Sequence, residues 1–300
     1  MITRTRRLGF TIVELLTAVA IIAMLIALLV PSLSMVRKFA KETRQKAQFA
    51  AIGQALMAFR TDYGDYPPSG ARGGINEQSP DAYCGAQKLA EALVGRDLLG
   101  FNRYSNWEPA DNMTSYYPVT EPDLTNSLQF RLGPYLEQDT GNAFKVGQLF
   151  FGQTPPIGLN LNRYVLCDAF IVKKVTVGPV GSQKTLKAGM PILYYRAYTA
   201  RNDWGPAASG ANNSRYDYYD NAGLCEAPPL KGELPHLLTE ALFYSENYKI
   251  VDLQIYEATC DPATGSGGKL WPHRPDSYIL ISAGADGLYG TSDDITNFGN

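Results

Sequence analysis

Glu14 is the single charged side chain in the 21-residue apolar run from Phe10 to Val30. An ionised carboxylate in a hydrocarbon layer costs about 2.5–3.5 kcal/mol on insertion scales, so its presence asks for a cationic partner. Gly9 stands just before the run, behind a leader bearing Arg4, Arg6 and Arg7. At the other end of the chain, Asp286, Asp293 and Asp294 stand among Gly284, Gly287 and Gly290. Calcium takes about six to eight oxygen ligands from carboxylates and carbonyls. Glycine lets a loop wrap so that carbonyls converge. The spacing is not that of an EF-hand. A solvated turn, in which Asp and Gly simply suit the backbone, is the plainer alternative.

The elements that must position these groups follow from pattern. As a helix rising about 1.5 Å per residue, the run spans about 30 Å, one bilayer core. The arginines before it predict a cytoplasmic leader and a translocated remainder. A cleaved secretory signal would use Ser32-Leu33-Ser34, a poor site after too long an apolar run. A lipoprotein signal needs a nearby cysteine, and the first is Cys84. A plain signal anchor explains the length and the arginines but gives Gly9 and Glu14 no role.

The string Gly9-Phe10-Thr11-Ile12-Val13-Glu14-Leu15-Leu16 resembles the cleavage and methylation motif of type IV prepilins and type II secretion pseudopilins. The resemblance implies that a prepilin peptidase cuts after Gly9 and methylates the new N-terminus at Phe10. Methylation keeps the amine cationic. In a low-dielectric layer that amine and the Glu14 carboxylate would neutralise one another across neighbouring subunits. The C-terminal loop, followed by Ile295-Thr296-Asn297-Phe298, resembles the calcium loop of the type II secretion major pseudopilin, the protein G family. That match implies carboxylate ligands from Asp286, Asp293 and Asp294, with backbone carbonyls of Ala283 and Thr291 as further ligands to a structural calcium.

Beyond Pro31, where a kink is expected, the stripe Phe49, Ile52, Leu56 and Phe59 predicts an amphipathic helix. It should close near Tyr63-Gly64-Asp65-Tyr66-Pro67-Pro68. The basic segment from Arg37 to Lys46 suits a helix leaving an anionic membrane surface. Residues 1–60 hold nine Lys+Arg against two Asp+Glu, leaving 18 against 27 for residues 61–300, a net charge of −9. An acidic exported part argues against nucleic acid as a partner.

The organisation is therefore a leader (1–9), a transmembrane helix (10–30), an amphipathic continuation (31–62) and an exported domain (63–300). The expected class is α+β, a pilin-like fold in which the long helix packs on a small antiparallel sheet. A helix is predicted over 86–94 and another over 237–244, with strands over 165–177, 192–199, 250–256 and 278–282. Residues 95–250 read as loop-rich insertions and 282–296 as the calcium-type loop. Cys84, Cys167, Cys225 and Cys260 lie in the exported part, where disulfides are favoured over zinc, with three connectivities open and free thiols as the alternative. His273 reads as a surface-loop residue, and Tyr216-Asp217-Tyr218-Tyr219-Asp220 as a glycan or partner patch, or a half-exposed edge or loop.

No nucleophile elbow or phosphate-binding loop is present, and with two histidines an enzyme is not expected. The resemblance implies a non-enzymatic subunit of a homo-oligomeric or mixed pseudopilin filament, seated on an inner-membrane assembly platform with its C-terminal domain in the periplasm. A true type IV pilin, a minor tip subunit and a non-polymerising, membrane-tethered calcium-dependent binding protein are the alternatives.

Overall fold

The computed structural model describes residues 11–70, 83–105, 107, 116–118, 120, 122–152, 159–178, 183–201, 214–239, 243 and 273–298. The chain divides into two compact units, Met1–Thr43 and Arg44–Asn300. Helix α1, Ile12–Tyr63, runs for 52 residues and contributes to both. Its helical assignment continues through Pro31 without interruption.

In the first unit the described residues are helical from Ile12 onward, and their large apolar side chains are bare. Ile12 is 79% exposed, Leu29 65% and Phe39 69%. Exposed apolar surface of this extent marks a membrane or partner contact in a folded protein. The helix is long and apolar enough to cross a membrane.

In the second unit the last turns of α1 bury one stripe. Gln45, Gln48, Phe49, Ile52, Ala55, Leu56 and Phe59 are buried at spacings of three and four residues, the helical period. Each glutamine bonds backbone through one of its two amide atoms, while Gln45 Nε2 and Gln48 Oε1 are buried without a hydrogen bond among the described residues. Gln48 Nε2 donates to the Cys167 carbonyl at 2.9 Å, and Gln45 Oε1 accepts the Ala169 N–H at 2.7 Å. The helix ends at Tyr63, and Gly64 follows at φ +82°.

Helix α2, Gly85–Val94, is buried along its whole length. Strands β1 (Phe101–Asn102) and β2 (Arg131–Leu132) pair, as do β3 (Ala143–Lys145) with β4 (Tyr164–Leu166) and β5 (Lys173–Val177) with β6 (Lys184–Ala188). A three-stranded sheet is formed by β7 (Leu193–Arg196), β8 (Tyr278–Ser282) and β9 (Ile295–Thr296), with β8 in the middle. Every pairing is antiparallel.

Strand alternation divides the core in two. Tyr194, Tyr278 and Leu280 join the α1 stripe, whereas Leu193, Tyr195, Ile279 and Ile281 join a second cluster with Val146, Leu149, Val175 and Tyr289. The three-stranded sheet is therefore buried on both faces. The molecule is α+β, with a long N-terminal helix and small antiparallel sheets.

Three expectations are corrected. The strand expected over 165–177 is two strands, β4 and β5, separated by the turn at Asp168, whose carboxylate takes the N–H groups of Phe170 and Met190. The strand expected over 192–199 is β7, which the stretch 95–250 supplies to the central sheet. Leu237–Thr239 are not helical. Their backbone instead follows the C-terminal loop, the N–H groups of Leu237 and Leu238 both donating to the Tyr289 carbonyl. His273 is not at the surface, and the 216–220 cluster is half-buried, with Asp217 and Tyr219 partly exposed. Tyr216, Tyr218, Asp220 and His273 are buried, the Tyr216 hydroxyl donates to the His273 carbonyl at 2.9 Å, and the His273 ring lies 4.7 Å from that of Phe298. The strand expected over 250–256 lies outside the described residues, as do 240–242 and 244 of the second expected helix.

Candidate functional site: the helix start and the C-terminal acidic loop

Gly9 and Phe10 lie outside the described residues. The described chain begins at Thr11, and Thr11 and Glu14 form a reciprocal cap. Glu14 Oε2 accepts the Thr11 N–H at 2.9 Å and its hydroxyl at 2.8 Å, while Thr11 Oγ1 accepts the Glu14 N–H at 3.2 Å. This capping box satisfies donors that a helix start leaves unpaired. The Thr-x-x-Glu spacing was visible in the sequence as a helix-start signal. Glu14 thus carries an intrachain role beside any role in pairing with a neighbour.

The second site grows from β8. Ser282 ends the strand, and a wound loop leads to β9 at Ile295. Gly284 takes φ +65°, which places the Asp293 carboxylate across the loop. Asp293 Oδ2 accepts the N–H of Ala285 at 2.7 Å and of Asp286 at 3.1 Å, and the Thr291 hydroxyl donates to Asp293 Oδ1. Asp286 Oδ1 accepts the Leu288 N–H at 2.8 Å.

The Asp286 and Asp293 carboxyls act on one another, and their acidities diverge. Burial and the charge of Asp293 hold Asp286 above the usual carboxylate range, against the pull of the Leu288 N–H. Burial also raises Asp293, but hydrogen bonds from Thr291 and from the Asp286 and Ala285 N–H groups outweigh it, and the net shift is downward. Two neighbouring carboxyl groups that disfavour one another's charge are a hard-oxygen pair whose repulsion a cation would relieve.

Asp294 turns elsewhere. Its Oδ2 accepts the Gly290 N–H at 2.9 Å, and its charge acts on the fully buried Asp168. Asp286, Asp293 and the Thr291 hydroxyl therefore come together, and Asp294 does not join them. Ala283 is buried at the base of the loop. Among the described residues no group of three or more His, Cys, Asp and Glu is arranged to hold a metal ion. The donors present fit calcium in type but supply two carboxylates rather than the three expected.

Cys84, Cys167 and Cys225 are buried thiols, and no disulfide joins any two of them; Cys260 lies outside the described residues. Burial pushes the Cys84 thiol up to about 12, against hydrogen bonds from the Gln87 and Ala86 backbone and the nearby Lys88 charge.

Sequence reasoning missed a buried polar layer around α2. Lys88, Glu91, Arg96, Arg131 and Arg163 are buried beside Tyr83 and Tyr117. Arg96 Nε lies 2.9 Å from Glu91 Oε1, and Arg131 pairs with Asp97. The Arg131 guanidinium lies 4.9 Å from the Tyr117 ring centre and that of Arg163 5.7 Å from Tyr83, within cation–π range. No local signal marks such a layer, because its members come from segments far apart in the chain.

Comparison with protein-family models, curated proteins and solved structures finds no match to this chain.

Proposed function

We propose that this chain is a filament subunit of the pilin class, processed after Gly9, methylated at Phe10 and polymerised through α1 as a pseudopilus component of type II secretion. The observation that carries the reading is the junction of the Gly9-Phe10-Thr11-Ile12-Val13-Glu14 string with a helix whose apolar side chains from Ile12 to Phe39 are bare. A helix left so uncovered needs lipid before assembly and neighbouring helices after it. The N-terminus would face the cytoplasm and the C-terminal unit the periplasm, as the arginine-rich leader implies.

In a hydrocarbon environment an unpaired carboxylate is penalised, and a cationic amine on the adjoining subunit removes the penalty. Prepilin peptidase and an inner-membrane assembly platform are the partners this function requires. A structural calcium held by Asp286 and Asp293 would tie the loop 283–294 to β8 and β9. It would add stability only above its dissociation constant.

Glu14 separates charge from capping. Glu14→Gln keeps a capping-box side chain but removes the charge, whereas Glu14→Ala removes both. Both variants are expected to be cleaved after Gly9 and to form no filaments in electron micrographs of overexpressing cells. Normal filaments from both would overturn the Glu14-dependent assembly mechanism, whereas a parent chain that forms no filaments would favour a tethered, non-polymerising protein. Normal filaments from Glu14→Gln alone would assign Glu14 to capping.

A further inference from the structure

The 34 residues from Ala169 to Asn202 contain four lysines and two arginines and no acidic residue. The rest of residues 61–300 holds 12 Lys+Arg against 27 Asp+Glu. A strongly basic stretch is thus set into an acidic unit, and the fold concentrates its lysines on one hairpin.

That hairpin is β5–β6, a sheet of two strands. Lys174 stands directly opposite Lys187 and Thr176 opposite Thr185, so these four share one face. All four are exposed. The other face carries Val175 and Ala188 into the core beside Val146 and Leu149, and Lys173 Nζ donates to the Leu149 carbonyl. Lys184, opposite Val177, adds an exposed cation at the end of the ribbon. Among the described residues Lys174, Lys184 and Lys187 make no ion pair.

Like charges directly opposite on a sheet face repel and destabilise the pair. A single lysine suffices to guard an open strand edge against adventitious pairing. Two lysines set face to face exceed that need, and they point the contact at the face of the ribbon, since lysine-bearing edges resist strand addition. The chemistry that relieves the repulsion is a carboxylate-bearing surface. The remainder of this chain's own exported part, with 27 acidic side chains against 12 basic, supplies one.

We propose that the outer face of the β5–β6 hairpin, formed by Lys174 and Lys187, docks against an acidic surface of a second copy of this chain. The proposal rests on the filament reading only in that assembly sets copies side by side. The hairpin gives neighbouring exported units a preferred, salt-sensitive register, separate from the apolar contact made by the helices. Charge complementarity of this kind acts on encounter and register more than on total affinity.

The test uses the full chain in detergent, mixing unlabelled protein with protein uniformly labelled with 15N, and a zero-length carbodiimide cross-linker. Mixed-isotope peptides joining Lys174 or Lys187 of one copy to an Asp or Glu of another are expected, fading as salt rises. Lys174→Glu with Lys187→Glu should lower filament yield on the order of tenfold at low salt. The double arginine variant should assemble normally. Melting curves matching the parent chain confirm that the exposed substitutions leave the fold intact. Cross-links confined to single chains, or charge-reversed protein that assembles like the parent, would overturn the proposal. So would charge reversal that abolishes binding to anionic-lipid vesicles while leaving self-association unchanged. Failure of the filament reading itself is read separately, as an absence of filaments from the unaltered chain.

Discussion

The Asp293 backbone carbonyl occupies the space into which a side chain on Gly284 would project, and Gly284 itself holds φ +65°. These two facts have one cause, since the loop after β8 must turn back sharply enough to bring the Asp293 carboxylate over the N–H groups of Ala285 and Asp286. Only a residue without a Cβ meets both demands.

Gly284→Ala is therefore expected to destabilise the second unit by about 1–3 kcal/mol, from left-handed backbone strain together with the blocked approach. Urea unfolding followed by far-ultraviolet circular dichroism measures the difference. A variant as stable as the parent would show that the loop backbone is free to rearrange.

Calcium is expected to raise the melting temperature, with the rise setting in at about 10⁻⁴ to 10⁻³ M, the range of extracellular calcium modules. Asp293→Ala should abolish the rise. Asp294→Ala should retain part of it, because Asp294 caps the Gly290 N–H instead of facing Asp286. The affinity should weaken on acidification, since protonation of the Asp286–Asp293 pair competes with the cation. A melting temperature indifferent to both calcium and chelator would remove the site.

Asp168 governs the alkaline side of stability. Burial raises its carboxyl to about 8 from 3.8, although the Ser282 hydroxyl and the Phe170 and Met190 N–H groups pull the other way. A folded state that holds a proton the unfolded chain has released loses stability as pH rises, here between about 4 and about 8. Asp220, raised by burial to about 7, slopes the same way. Asp168→Asn should flatten part of that decline in unfolding free energy measured against pH. A profile parallel to the parent's would show that Asp168 is ionised throughout.

His236 governs the acid side. Its Nδ1 accepts the Tyr289 N–H at 3.2 Å, which leaves the proton of the neutral ring on Nε2, and burial lowers it to about 4 from 6.5. A base depressed in the folded state contributes stability above the unfolded pKa that is lost as pH falls, here from about 6.5 down through 4. His236→Leu should flatten this acid limb while costing about 1–3 kcal/mol at neutral pH through the orphaned Tyr289 N–H. An unchanged acid limb would clear His236 of the role.

What could be read in advance was periodic or punctuated. Phe49, Ile52, Leu56 and Phe59 do line the buried stripe of α1, and the helix does stop at Tyr63 before Gly64. The strand at Tyr278–Ser282 has the expected bounds. Each of these rests on spacing within one segment, which survives whatever packs against it. Tyr216 and Tyr218 were misjudged because tyrosine at a polar, aspartate-rich turn suits solvent as well as core. The backbone carbonyls of His273, Arg274 and Leu238, offered from other segments, decide the matter.

The amino-acid sequence by itself determined the apolar run with its lone Glu14, the acidic balance of residues 61–300 and the glycine-spaced aspartates, because composition and short-range spacing need no partner to be expressed. Only the tertiary structure decided that Asp286 comes beside Asp293 while Asp294 turns away, and that Lys174 faces Lys187 across a ribbon. Loop dihedrals, hydrogen-bond reciprocity and strand register are relations between residues, and they come into being only when the chain closes on itself.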